Sequence, residues 1–254
     1  LPSQFEQHVT AEKNHWWFVA RRDILNDVIN EICMADGSKN IVEIGCGTGR
    51  MCSLLSRKYN VVGYDTSEAA INIACDTYKG VVFHKYEKVE ELRECLALAD
   101  LVLMFDVLEH IEDDASFLST IISMVPTGAQ FLLTVPALMS LWGEQDVVVG
   151  HYRRYNVRTL QNSWLGSSVS CEWLSYFNAY LYLPILFART LSRWFRLSFG
   201  KGGMDYGIPP WPINSILTKI FRSERVRIGN IAKRGRGKGF GIGSSLITLL
   251  KKTK

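Results

Sequence analysis

Three glycines at alternate positions, Gly45, Gly47 and Gly49, interrupt the chain directly after the apolar run Ile41-Val-Glu-Ile44. A buried strand that breaks into glycines reads as a tight turn pressing bare backbone against a ligand. The dinucleotide fingerprint needs a glycine or alanine three places after the second glycine, and this chain has Arg50 there. Asp65 follows a second apolar piece, Val61-Val-Gly-Tyr64, where the tip of a strand in a βαβ unit can accept the hydroxyls of a ribose. Glu43 stands inside the first strand, where an apolar residue is the default. A buried carboxylate there needs a donor or a cationic ligand.

Two acids around a glycine loop suit a ligand with an adenosine, an ammonium and a sulfonium better than a pyrophosphate. S-adenosylmethionine has that chemistry. Methyl transfer from a sulfonium is an in-line displacement, so aligning the acceptor supplies most of the catalysis, and a base helps when the acceptor is a hydroxyl. Asp106 follows the fourth apolar strand, with Glu109-His110 three places on. His151-Tyr-Arg-Arg-Tyr155 is a second polar cluster, behind Leu141-Trp-Gly-Glu-Gln-Asp146. Asp106, His110 and His151 are the candidate catalytic residues, His151 as a general base with a pKa near working pH. Asp106 could instead cap the next helix. Trp17, Tyr152, Arg153, Arg154 and Tyr155 are candidates for the acceptor, since arginine forks bind phosphate or carboxylate. The two arginines could equally pair with Glu144 and Asp146.

The elements that must position these residues alternate in type. Residues 4–35 read as helical, with Ile24, Leu25, Val28, Ile29 and Ile32 at helix spacing. Strands are expected at Asn40–Ile44, Val61–Tyr64, Val81–His84, Leu101–Phe105 and Gln130–Pro136. Helices are expected at Met51–Tyr59, Ser67–Thr77, Glu87–Leu96 and from Asp113 to Met124. Val169–Phe177 and Gly243–Leu250 read as two further strands. The alternation implies an α/β fold, a doubly wound, mostly parallel seven-stranded sheet with its ligand at the carboxyl ends of the strands. One domain is expected over residues 1–254, comprising an N-terminal helical lid (1–36), a cofactor-binding core (38–178), a helical cap insertion (179–242) and a final strand (243–250).

Val42-Glu-Ile-Gly-Cys-Gly-Thr-Gly49, Asp65 and Phe105-Asp-Val-Leu-Glu-His110 together resemble the class I S-adenosylmethionine-dependent methyltransferases over residues 38–178. The resemblance implies that Glu43, Gly45, Cys46, Gly47 and Gly49 hold the methionine part and that Asp65 and Thr66 hold the ribose. Tyr86 and Glu87 would meet the adenine, and Asp106 and Val107 would border the cofactor. S-adenosylhomocysteine would be the product. Trp16-Trp-Phe18 with Arg21-Arg22, Asp106-Val-Leu-Glu-His110 and His151-Tyr-Arg-Arg-Tyr155 are together similar to a bacterial and archaeal subgroup associated with glycolipid, polyprenyl or secondary-metabolite pathways.

Charge and cysteine usage bound the alternatives. The net charge is +4, but fifteen Lys/Arg against two acids lie between Arg189 and Lys254, a local balance of +13. That asymmetry points to an anionic partner such as a membrane surface, met through residues 179–238. The apolar core Ala179–Ala188 is too short to span a bilayer, which takes about 20 residues. It reads either as an in-plane interfacial helix with Arg189, Arg193 and Arg196 at head-group level, or as a helix on the protein's own core. Gly235-Arg-Gly-Lys-Gly239 reads as a mobile loop. Six cysteines without a C-x-x-C pair imply a reduced, cytoplasmic setting, with peripheral membrane association through the cap, and no metal is expected. A small-molecule or lipid-like hydroxyl acceptor is the leading expectation. An RNA methyltransferase using the basic stretch is the alternative, although nucleic acid is disfavoured because no base-methylation motif follows the fourth strand. A silent binding module and a homodimer through the apolar cap complete the readings.

Overall fold

In the computed structural model, residues 4–36, 40–195, 207–235 and 238–254 are described. Two helices open the chain, α1 (Gln4–Asn14) and α2 (Trp16–Asp36). The remaining elements are β1 (Asn40–Ile44), α3 (Arg50–Leu55), β2 (Asn60–Asp65), α4 (Glu68–Thr77), β3 (Val82–Lys85), α5 (Arg93–Leu96), β4 (Leu101–Phe105), α6 (Asp114–Met124) and β5 (Gln130–Pro136). They continue with α7 (Glu144–Val148), α8 (Val157–Asn162), β6 (Val169–Phe177), α9 (Tyr182–Phe195), α10 (Trp211–Arg222), α11 (Arg225–Arg234) and β7 (Ser245–Lys252). The strands form a single seven-stranded sheet in the order β3-β2-β1-β4-β5-β7-β6. The first five run parallel, and β7 lies antiparallel between β5 and β6. This is the doubly wound, mostly parallel architecture the alternation of elements implies.

Strand alternation divides the core between the two faces of the sheet. Ile41, Leu101, Leu103 and Leu132 face α2 and α3, whereas Val42, Ile44, Val102, Met104, Phe131 and Leu133 face α6 and α8. Both faces are covered, so the central strands are apolar at successive positions. Glu43 is the exception on the α2 side. Ser67 and Asp113 cap α4 and α6 by accepting hydrogen bonds from the Ala70 and Ser116 amides.

Three expectations change. The helix read over residues 4–35 breaks at His15, where Asn214 of α10 fills the gap. Its side chain accepts from the Trp16 amide at 2.9 Å and donates to the Asn14 carbonyl at 2.8 Å. The segment expected as a helix over Glu87–Leu96 is a 3-10 turn (Val89–Leu92) followed by the four-residue α5. The cap insertion is only partly a cap: Phe221, Ile228 and Ile231 of α10 and α11 are buried in the same core as α2. Arg222 and Arg225 pair with Asp23 and Asp27 of α2, at 2.5 and 3.4 Å. Among the described residues no helix is long and apolar enough to cross a membrane. The side chains of Arg193 and Arg196, and the middle of the Gly235–Gly239 segment, lie outside the described residues.

Candidate active site

The glycine loop is held by the strand beside it. The Gly45 and Cys46 amides donate to the Tyr64 carbonyl at 2.7 and 3.0 Å. The Asp65 carboxylate accepts from the Gly47 amide and from the Ser67 amide, both at 2.8 Å, so one side chain ties the loop to the start of α4. All three glycines have positive φ. A side chain at Gly45 would run into Val107 and one at Gly49 into Phe83, whereas Gly47 faces open space. Tyr86 donates its amide to the Asp65 carbonyl, so Asp65, Tyr86 and Val107 bracket the loop from three strand ends. Thr66 is exposed, and Glu87 pairs with Lys85 at 2.8 Å.

On the other side of the loop lies a cavity of about 920 Å³ between the strand ends, α2, α9 and α10. Sites for small molecules run from about 300 to 1,000 Å³, so this one has room for the methionine end of a cofactor and an acceptor, with Asp65, Thr66, Tyr86 and Glu87 outside its wall. Gly45, Cys46, Gly47 and Glu43 form part of its wall. Burial pushes the Glu43 carboxyl up to about 7, opposed by the Cys52 thiol, which donates to it at 2.8 Å, and by the charge of Arg21. The group therefore gains from any cation that enters. Open space at Gly47, a buried carboxylate and the Asp65 anchor fit S-adenosylmethionine.

Asp106 does not cap the helix that follows. It sits at φ 58 directly after β4, and its carboxylate meets Arg21 at 2.8 Å and accepts from the Thr134 hydroxyl at 3.2 Å. Arg21 also donates to Thr134 and stacks between Trp17 and Phe105, 4.9 and 5.6 Å from the ring centroids. Arg21 thus latches α2 over the strand ends, with Trp17 in the cavity wall. The sequence signal for this was present: Trp17 and Arg21 are one helical turn apart and share a face.

Glu109 and His110 lie in a 3-10 turn, Leu108–His110, and α6 begins only at Asp114. The His110 and His151 rings meet edge to face at 4.7 Å. His151 points Nδ1 at Asp146, 2.8 Å away, and Nε2 toward Glu109, 3.9 Å away. Asp146 is a buried hub that also accepts from Arg154 Nε and the Gly143 amide, each at 2.8 Å, and pairs with Arg189 at 3.6 Å. Burial raises its carboxyl, but His151, Arg154 and the Gly143 amide together hold it at about 2. Burial and the adjacent His151 lower His110, while burial and Asp106 raise Glu109.

The His-Tyr-Arg-Arg-Tyr segment therefore splits. His151 and Arg154 line the cavity. Tyr152, Arg153 and Tyr155 do not: Tyr152 is exposed, Arg153 pairs with Asp114 at 3.0 Å, and the Tyr155 hydroxyl donates to Asp114 at 2.6 Å. Arg189, expected at head-group level, turns inward to Asp146. Asp146 is the partner that the sequence offered for the arginines, and Arg154 takes it, whereas Arg189 and Asn214 are structural partners that sequence reasoning did not place at the site. Their signal is weak, because each works through contacts distant in the chain.

The family model of the methyltransferase domain matches residues 18–182. A probable S-adenosylmethionine-dependent methyltransferase of Mycolicibacterium smegmatis is 27% identical over 153 residues, 59% of this chain and 57% of that protein. A ubiquinone biosynthesis O-methyltransferase of Rhizobium etli is 38% identical over 104 residues, 39% of this chain and 42% of its own length. The matches thus span about half of each curated relative. Among solved structures, the plantazolicin methyltransferase BamL, a complex with a triazolic desmethylPZN analog and SAH, aligns with a TM-score of 0.59 at 12% identity, covering 100% of this chain and 92% of that one. An S-adenosylmethionine-dependent methyltransferase from Archaeoglobus fulgidus aligns at 0.58 with 18% identity, covering 96% and 99%. At these identities the structures speak for the fold.

Proposed function

Because this chain belongs to the S-adenosylmethionine-dependent methyltransferase family, we propose that it methylates a hydroxyl of a small amphipathic, lipid-linked or secondary-metabolite acceptor. The observation that carries this reading is the two-ended cavity. Near the strand ends its wall is polar, with Glu43, Asp106, Glu109, His110 and His151, and between α9 and α10 it is apolar, with Ile185, Ala188, Ile213 and Leu217. Outside, Leu183, Phe187 and Trp211 are 70, 69 and 83% exposed on the same two helices. An acceptor with a polar head and an apolar tail fits this gradient, and a lipid surface is a suitable source for one.

When bound, S-adenosylmethionine supplies an electrophilic methyl group on its sulfonium. In this reading Glu43 and the Gly45–Gly49 loop, with Cys46, hold the methionine end. Asp65 and Thr66 take the ribose, Tyr86 and Glu87 the adenine, and Val107 supports the loop. Asp106, through Arg21, keeps α2 closed over the site. The acceptor hydroxyl faces Glu109, His110 and His151, and Arg154 with Asp146 fixes His151. Transfer of the methyl group to that oxygen would leave the electron pair of the broken carbon–sulfur bond on sulfur, and the hydroxyl proton would pass to His151 Nε2, the nitrogen that Asp146 does not engage. The ubiquinone relative acts on oxygen by its name, which agrees with a hydroxyl acceptor. A nucleic-acid acceptor is disfavoured, because Arg222 and Arg225 pair with acids of α2 and Arg227 binds the Lys238 and Gly239 carbonyls.

The test is incubation with methyl-labelled S-adenosylmethionine and a fractionated host lysate. Label in the lipid or small-molecule fraction that disappears with Asp65→Ala supports the reading. Label confined to nucleic acid or protein overturns it.

A further inference from the structure

Glu109, His110 and His151 bring one carboxylate and two imidazoles together so that their nearest ligand atoms all lie within 4.8 Å of one another. Two features set this cluster apart from a chance grouping of polar side chains. Glu109 is 0% exposed, and neither carboxylate oxygen has a hydrogen-bond partner. A fully buried carboxylate without partners is costly, and it lies in the cavity wall. The second feature is the orientation of His151. Its Nδ1 is engaged by the Asp146 carboxylate, leaving Nε2 facing Glu109. A carboxylate behind a histidine that presents its other nitrogen is the usual support of a metal-ligating imidazole.

We propose that Glu109, His110 and His151 form a binding site for one divalent transition-metal cation, of the zinc, cobalt or manganese class, at the polar end of the cavity. Two histidines and one carboxylate with an open side are a common donor set for such ions, and the open side is where an acceptor oxygen would enter. Ligand bonds of about 2.0–2.2 Å require the three donors to draw closer than they stand, a movement within reach of side-chain rotation. Arg21 and Arg154 are paired with Asp106 and Asp146, and among the described residues neither forms an ion pair with Glu109. The inference deepens the proposed function: a cation here would bind the acceptor hydroxyl and lower its pKa, so that its proton leaves to water, rather than to His151, before the methyl group is transferred.

The experiment uses the tag-free chain treated with chelator, then titrated with Co²⁺ under visible spectroscopy and with Zn²⁺ by calorimetry. One equivalent of Co²⁺ giving d–d absorption bands is expected, with affinity at least tenfold weaker in Glu109→Gln and His110→Asn. Asp146→Asn, which weakens the support of His151 together with the contacts to Arg154, Arg189 and the Gly143 amide, should weaken binding about 10–100-fold. Binding of S-adenosylmethionine by each variant, measured by calorimetry, shows that the fold is intact. Absence of stoichiometric uptake, or equal affinity in a folded Glu109→Gln, overturns the cation site. Full methyl transfer by the metal-free chain overturns the role of the cation in activating the hydroxyl, yet leaves the methyltransferase reading standing. One bound equivalent without hydroxyl methylation supports the site and sinks the acceptor assignment instead.

Discussion

Alanine at Gly47 and at Gly49 separates contact with the cofactor from the packing of the loop. Both glycines have positive φ, 53° and 81°, so an alanine at either costs about 1–2 kcal/mol of backbone strain. At Gly47 nothing lies within 4 Å of the added methyl, and stability should fall by that strain alone. At Gly49 the methyl would meet the Phe83 ring and the Ala74 side chain, and overpacking adds about 1–3 kcal/mol. Gly49→Ala is therefore expected to lose about 2–5 kcal/mol in urea unfolding, roughly twice the loss at Gly47 or more. Calorimetry with S-adenosylmethionine should rank them the other way for each kcal/mol of stability lost. The Gly47 methyl projects into the space assigned to the ligand, and its Kd should rise at least tenfold, about 1.4 kcal/mol. Wild-type affinity in a folded Gly47→Ala would refute the assignment of this loop as the cofactor cradle.

Buried His15, held neutral with a pKa of about 4 by burial, accepts a hydrogen bond from the Trp17 amide through Nδ1. Its folded pKa lies below the unfolded 6.5, so the unfolded chain takes up the proton first and stability falls as pH drops from 6.5 toward 4. Between pH 7.5 and 5 the loss should be about 2 kcal/mol by urea unfolding, and a His15→Gln variant should lose less. Glu43, raised to about 7, favours a cationic ligand only when ionised. Affinity for S-adenosylmethionine should weaken about tenfold from pH 8 to pH 6, and a Glu43→Gln variant whose affinity varies as steeply would rule this out. Asn214→Ala removes both side-chain bonds at the α1–α2 break and should cost about 1–2 kcal/mol. Hydrogen exchange should then quicken at Trp16 and Trp17 while the β4 amides stay protected.

The parts of the fold legible in the sequence are those whose burial is two-sided. Strands β4 and β5 occupy the expected spans Leu101–Phe105 and Gln130–Pro136, because largely apolar runs have few other uses, and the edge strand β6 occupies its expected span, Val169–Phe177, although Cys171 and Glu172 are exposed. The last strand runs two residues further than expected, to Lys252. The Lys252 ammonium reaches the Val125 carbonyl at 2.7 Å, a partner that periodicity cannot supply. The break at His15 is invisible for the same reason, since the group that compensates it is Asn214, about 200 positions away. At the site, the glycine turn after β1 was readable from its residue types, whereas the bond by which Asp65, 18 positions on, holds the Gly47 amide was not. The roles of Asp106 and Arg153 were not. Asp106 meets Arg21 of α2 and Arg153 meets Asp114, and either side chain alone is compatible with a cap, a solvated charge or a ligand contact.

The basic C-terminal stretch turns part of its charge inward. A local balance of +13 reads as an electrostatic footprint only when the charges face solvent together. Here Arg189 turns into the site toward Asp146, Arg222 and Arg225 are matched by Asp23 and Asp27 of α2, and Arg227 stacks on Phe240 at 4.5 Å while binding two carbonyls. Part of the asymmetry along the chain is thus complementarity within it: three of the fifteen cations, Arg189, Arg222 and Arg225, meet acids of the first part. The same contacts hold α10 and α11 against α2, and α2 carries Trp17 and Arg21 over the strand ends. In Arg189, Arg222 and Arg225 the charge acts on the wall of the cavity and on the helices behind it. The exposed apolar residues of α9 and α10 are the outward-facing part of that segment, so whatever meets this edge should be recognised by its apolar surface before its charge.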